Sequence, residues 1–392
     1  MFILDKKHHL LGGTLLIAGT SIGVGMLALP VVTAAGGFIP SDLIYILAWI
    51  FMIGTGLLIV EACLWCPKDS NLITISRHLL GAKGAAGCWA FYLFLFYCLM
   101  VAHVAIGGQA IDQLNLGFPT WFSALLYVVL FAPVVYLGTR AVDRFNMVFI
   151  SGVVITFLLF IGIAVTHVNL ELLNRVEWPY AWAALPIIMT AFGYQNLIPT
   201  LMTYMDRDHK AVRKAIIYGT SIPLIIYLIW EFVILAIVPA DTLLQASLNG
   251  QNAVVPLQAA LQNTTALTYI GQSFAFFAMT TSFIGMAIAF FDFWADGLRW
   301  QKKGTKKLGL CALVFGIPLV IVWINPDIFI GALNLAGTFG ISILLGIYPI
   351  LYVWSGRYIL GHSKSHQLVK GGKATLSAMF AFVVLVILLG YL

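Results

Sequence analysis

The chain has 392 residues, 61% of them hydrophobic and only 9% charged, with a mean hydropathy of +0.99. A soluble globular domain carries about 25% charge, so the composition excludes a soluble enzyme, a disordered chain and a nucleic-acid-binding module. The bilayer is the natural solvent for the apolar surplus, and the net charge of +6 becomes a question of where the charges sit.

A window of about 19 residues finds eleven apolar segments, at 10–32, 42–64, 85–111, 121–138, 146–166, 180–203, 215–238, 265–295, 308–324, 328–354 and 374–391. Backbone polar groups must find partners within their own segment in lipid, so each is expected to be a helix. The expected fold class is all-α integral membrane, with residues 1–392 forming one transmembrane domain. The first segment follows Lys6 and Lys7 and continues past Pro30. That is too long for a signal-peptide core, so it reads as a retained span.

The loops test this topology. With the N-terminus in the cytoplasm, 20 of the 21 Lys and Arg residues fall on the inner side and only Arg175 falls outside. A missed helix would scramble that alternation, so the asymmetry supports the count as well as the orientation. Eleven spans place Leu392 outside. The outer stretch 239–264 is polar and free of Lys and Arg. The Asn263-Thr264-Thr265 sequon matters only in a eukaryotic secretory pathway. The five cysteines are irregularly spaced, and no second pair completes a site with Cys63 and Cys66, which read as small apolar residues at a helix end.

Two spans are poor straight helices. The first contains Gly19-Thr20-Ser21-Ile22-Gly23-Val24-Gly25, with Pro30 beyond. Each interior glycine costs a helix about 1 kcal/mol. The sixth contains Pro186, then Thr190-Ala191-Phe192-Gly193-Tyr194-Gln195-Asn196, then Pro199. The breaks lie 171 residues apart, near Ser21 and Phe192, in the first span of each of two five-span units, 10–166 and 180–354. Five is odd, so the second unit enters from the opposite side. This is an inverted repeat with 374–391 appended, and paired broken helices of this kind point to a transport site. Close helix packing through Gly19-x-x-x-Gly23 is the plainer alternative.

A half-helix N-terminus presents free N–H groups and a positive dipole end, and a C-terminus presents carbonyls and a negative end. A zwitterionic amino acid matches both without a charged side chain. No charged residue occurs at 10–41 or at 178–205.

These residues resemble the aromatic amino acid permease family, bacterial tyrosine- and tryptophan-specific transporters within the amino acid–polyamine–organocation superfamily. The resemblance is carried by 19–30, by Phe192-Gly193 with Ile198-Pro199, by Phe291-Asp292-Phe293-Trp294-Ala295-Asp296-Gly297 and by Ala332-Leu333-Asn334-Leu335-Ala336-Gly337. It implies a five-plus-five inverted repeat with eleven spans in a bacterial inner membrane. It also implies symport of an aromatic amino acid, tyrosine first with tryptophan or phenylalanine as alternatives, with a cation, usually a proton. The substrate carboxylate would lie at the first break (Gly19, Thr20, Ser21, Gly23, Val24, Gly25) and the amine near the sixth (Phe192, Gly193, Tyr194, Gln195, Asn196). Gln195 and Asn196 stand where the family often carries a small or basic residue. No cofactor and no nucleic-acid partner are expected; the partners are the substrate, H⁺ or Na⁺ and lipid, and the chain is expected to act as a monomer.

Other residues compete for the coupling role. His103 is the histidine placed well inside a span, and Glu231 lies deep in the seventh; either would serve as a proton site. Thr280-Thr281-Ser282 sits mid-span in the eighth, and Thr281 with Ser282 facing carbonyls of the first break would suit Na⁺. Hydroxyls bonded to carbonyls one turn back are the alternative. Glu61, Asp292 and Asp296 lie near inner span ends as gating candidates or plain salt bridges. Gly19-Thr20-Ser21-Ile22-Gly23 also fits G-x-S-x-G, the pattern of a serine hydrolase, but without the strand–turn–helix that chemistry needs. A channel is a further alternative, against which the paired breaks argue. Phe192 and Tyr194 are expected to form aromatic walls for a flat ring.

Overall fold

The computed structural model describes residues 6–114, 117–261, 265–362 and 367–391, with side chains throughout except at 6–8, 139, 140, 143, 265 and 266. The sequon positions Asn263 and Thr264, and also Lys364 and Leu392, lie outside the described residues. Nine helices among the described residues are long and apolar enough to cross a bilayer. A tenth crossing is the bent pair His9–Ser21 and Val24–Thr33, whose axes meet at 53°. Where the sixth span is expected, the chain runs as short pieces, Trp178–Ala183, Leu185–Ala191 and Ile198–Tyr204. Each expected segment thus has a helical counterpart, and there is no strand among the described residues.

The largest boundary difference is in the third span. The helix runs Leu72–Asp112, not 85–111. Arg77 and Lys83 lower the local hydropathy, so an apolar window starts late. Gly81, at φ 74°, turns the first two helical turns away from the rest, a backbone setting that glycine adopts without steric cost. The seventh span likewise begins early, at His209, because Asp208 caps it by accepting from the Lys210 and Ala211 amides at 3.0 and 3.1 Å. The tenth runs Phe329–Ile359 and is wound in wide π-turns over Ala336–Ile347 and Ser355–Ile359. Cys63 and Cys66 are buried at the end of the second span, where Arg207 donates to their carbonyls at 2.6 and 3.1 Å. A cation at that negative helix end is favourable.

The first half of span one packs along span seven, and its second half packs on Leu185–Ala191 of span six. Span two lies against six, seven and ten, span three against four, eight and ten, and span five against eight. The two breaks therefore meet in the middle of the molecule, facing spans three, eight and ten.

Candidate substrate site

A cavity lies where the breaks meet. Span one contributes Thr20, Ser21, Gly23, Val24 and Gly25, and span six contributes Gly193 and Asn196. Across from them stand His103 with the rings of Tyr92 and Phe96 from span three, and Ser282 from span eight. Val24 and Gly25 open the second half-helix, so their N–H groups have no acceptor within it. Gly23 has an extended backbone that any residue adopts (φ −171°), so its reason is space: an added Cβ would stand 2.6 Å from Ser282 Oγ. At Gly25 a Cβ would stand 3.2 Å from Ala191 Cα, so the two broken spans touch through their backbones.

His103 forms one wall and is 1% exposed. Its Nδ1 lies 2.6 Å from the Leu99 carbonyl and its Nε2 lies 2.9 Å from Ser282 Oγ. A carbonyl only accepts, so Nδ1 carries a hydrogen. In the neutral ring Nε2 is then bare and accepts from the Ser282 hydroxyl. Adding a proton at Nε2 reverses that bond, and the Ser282 hydroxyl must turn to another acceptor.

Behind the breaks stands Tyr227 of span seven, fully buried. Its hydroxyl lies 2.5 Å from the Ser21 carbonyl and 2.9 Å from the Ala191 carbonyl. Sequence reasoning missed it, because a tyrosine among Ile and Leu in an apolar span carries no local signal.

The tryptophan/tyrosine permease family matches residues 6–390. The chain belongs to the tryptophan/tyrosine permease family. A tryptophan-specific transport protein of Pseudomonas aeruginosa is 32% identical over 347 residues, covering 85% of this chain and 83% of that one. A tyrosine-specific transport system of Haemophilus influenzae is 29% identical over 384 residues, covering 96% and 94%. In fold, this permease is similar to the crystal structure of MhsT in complex with L-phenylalanine, with a TM-score of 0.65 at 13% identity over 96% of this chain and 98% of that one. The permease is an all-α membrane protein of the inverted-repeat type, and it is a transporter, not an enzyme. The hydrolase reading of Gly19-Thr20-Ser21-Ile22-Gly23 falls with that; the Ser21 hydroxyl donates to the Ile17 carbonyl at 3.3 Å.

Several expected site residues stand elsewhere in the permease. Gly19 is exposed, outside the cavity lining. Phe192 and Tyr194 are fully buried and do not form the aromatic wall. Phe192 packs edge-on against Tyr227, and Tyr194 donates to the Met52 carbonyl at 3.1 Å. The rings at the cavity are Tyr92 and Phe96. Gln195 also turns away: its amide donates to Thr55 Oγ1 at 3.1 Å, and its carbonyl accepts from the Tyr194 amide at 3.0 Å. It braces the sixth break on span two, and Asn196 is left as the exposed amide at the cavity.

Thr281 and Ser282 do not form a joint site facing the first break. Neighbouring helical residues point about 100° apart; Thr281 donates to Asn146 of span five at 2.9 Å, while Ser282 faces His103. Glu231 is buried but not unpaired, since it accepts from Thr33 and, at 2.8 Å, from Tyr45. It is not part of the cavity lining. Glu61 forms a fully buried two-pronged pair with Arg357, both bonds 2.6 Å. Asp292 pairs with Lys302 at 2.6 Å on a half-exposed surface, and Asp296 is exposed.

Proposed function

We propose that the permease imports an aromatic amino acid together with a proton by alternating access across a bacterial inner membrane, with its N-terminus cytoplasmic and its C-terminus outside. The substrate carboxylate binds the N–H groups of Val24 and Gly25. The ring lies against Tyr92 and Phe96, and Asn196 meets the phenolic hydroxyl of tyrosine or the indole N–H of tryptophan. The names of the relatives support an aromatic substrate, and the excess of Lys and Arg on alternate loops supports the orientation.

The observation that carries the coupling ion is the His103–Ser282 bond on the cavity wall, with Ser282 against Gly23. His103 is the basic side chain on the cavity wall, and its Nε2 can exchange the role of acceptor for that of donor towards Ser282. Loading a proton there turns Ser282 beside the backbone that receives the substrate. Thr281, engaged with Asn146, is poorly placed for Na⁺.

The test uses proteoliposomes holding wild type or His103→Gln, with labelled tyrosine, tryptophan and phenylalanine. The variant should keep exchange of internal for external substrate, which needs no net proton movement. It should lose most of the accumulation driven by an imposed pH gradient. Undiminished pH-driven accumulation by the variant, or wild-type uptake driven by Na⁺ and indifferent to pH at fixed membrane potential, would overturn this coupling.

A further inference from the structure

Span eleven, Gly372–Leu389, meets span ten along a groove of about 260 Å³. Ile350, Leu351 and Trp354 line it from span ten, and Leu376, Ser377 and Phe380 from span eleven. Leu351 and Phe380 are 38% and 40% exposed, so the groove opens on the lipid-facing surface. Its chemistry is graded along its length. Lys373 precedes Leu376 and Ser377 by three and four residues, which puts all three on one face of the helix. Phe380 lies on that face about 10 Å deeper. At the mouth, the Lys373 ammonium is held 5.9 Å from the ring centre of Trp354 and 5.1 Å from that of Tyr358. A cation, a hydroxyl and then hydrocarbon follow one another from the end of the span towards the middle of the membrane.

Among the described residues no carboxylate pairs with Lys373. Residues 328–392 contain no Asp or Glu, and Glu61, which reaches this end from span two, is taken by Arg357. The two rings orient the ammonium without neutralising it. Lys373 also stands in the first turn of its helix, which has no acidic residue, and the positive end of a helix dipole favours an anion over a cation. Lys370, exposed just before it, adds a second positive charge. An anion at the mouth would relieve this excess, and the apolar groove below selects an anion that carries hydrocarbon. We propose that the groove holds one anionic phospholipid, with its phosphate on Lys373, its glycerol esters at Ser377 and an acyl chain along Leu351 and Phe380. Basic pockets between spans on the cytoplasmic side are a general form of anionic-lipid site. This inference goes beyond the transport reading and takes from it only the leaflet, the inner one.

Purified permease is stripped of lipid in detergent and titrated with dioleoylphosphatidylglycerol, dioleoylphosphatidylcholine or inorganic phosphate. Native mass spectrometry counts bound lipid, and a melting curve reads stability. Wild type should hold one phosphatidylglycerol about fivefold more tightly than phosphatidylcholine, the share that one basic side chain carries at an anionic surface, and should melt higher with it. Lys373→Gln should lose that preference and Lys373→Arg should keep it. Ser377→Trp, which fills the groove and leaves the charge, should lose the tightly held lipid. Lys373 and Ser377 are exposed, so these variants should fold. Lys303→Gln removes another exposed cation expected on the inner side and should bind as wild type does; a matching loss there would mean that net charge alone attracts the lipid, and overturns the proposal. Equal affinity of wild type for the two lipids, a preference that survives Lys373→Gln, or undiminished binding by Ser377→Trp overturns it too. So does stabilisation by inorganic phosphate equal to that by phosphatidylglycerol, which would mark a bare anion site.

Discussion

Replacing Glu61 by Gln tests the one fully buried ion pair found among the described residues. Glu61 Oε1 accepts from Arg357 Nε at 2.6 Å, and Oε2 accepts from Nη2 at 2.6 Å and from the Leu368 amide at 3.2 Å. Both side chains are at most 1% exposed. Glutamine fills the same volume but leaves a guanidinium without its counter-charge in a dry place. Breaking a buried pair from one side costs about 3–5 kcal/mol, roughly two to three and a half decades in the folded-to-unfolded ratio. Arg357→Met should cost a similar amount by stranding the carboxylate. The double substitution Glu61→Gln with Arg357→Met removes both charges. It leaves the Val369 carbonyl, which accepts from Arg357 at 3.1 Å, without that partner, while the Gln oxygen can still accept from the Leu368 amide, for a loss of about 2 kcal/mol. The double variant should therefore be more stable than either single one. Unfolding of purified protein in detergent, followed by tryptophan fluorescence, gives the order of the four proteins. Single losses under about 1 kcal/mol, or a double loss equal to the sum of the singles, would refute the reasoning and mean that water reaches the pair.

Asn196→Ala should shift the tyrosine-to-phenylalanine uptake ratio severalfold, whereas Gln195→Ala should lower the melting temperature and leave that ratio unchanged; competition uptake with a melting curve for each variant separates the two. Ser21→Ala should keep at least about half of the transport rate, because its side chain bonds only within its own helix. Gly25→Leu should abolish transport by forcing the two broken spans apart, an overpacking cost of about 1–3 kcal/mol or more; labelled-substrate uptake into proteoliposomes reads both. On a background without native cysteines, Asn249→Cys should react with an impermeant thiol reagent from outside intact cells and Lys303→Cys should not.

Span positions and both breaks were legible in the sequence because lipid enforces them: hydrophobic length marks a crossing, and glycine or proline inside one marks an interruption. The alternation of Lys and Arg did the same for the expected orientation. What lay beyond reach was which way a side chain faces across a break. Gln195 and Asn196 are adjacent, yet one braces span two and the other meets the cavity, because the short turn at 195–197 has no helical period to extrapolate. Thr281 and Ser282 look like a pair in sequence and point at different neighbours. Tyr227 and the Glu61–Arg357 pair depend on contacts 206 and 296 residues apart along the chain, which no local pattern encodes. The upstream leg of span three was hidden by its own charges, Arg77 and Lys83.

The wide winding of span ten over Ala336–Ile347 makes chain length itself a variable. A π-turn holds about one residue more than an α-turn, and such turns occur at functional sites. Deleting one residue there would let the helix close into ordinary winding with its hydrogen bonds kept. Because the wide turn already absorbs the extra residue, everything downstream would keep its phase, whereas the same deletion from an α-wound stretch would rotate it by about 100°. Arg357 would still meet Glu61, while the cavity lining within the stretch, at Ile341 and Leu345, would be redrawn. The stretch works as slack between a ligand pocket and a distant clasp. A single-residue gap here in a sister sequence would mark a permease with a reshaped pocket and an unmoved clasp.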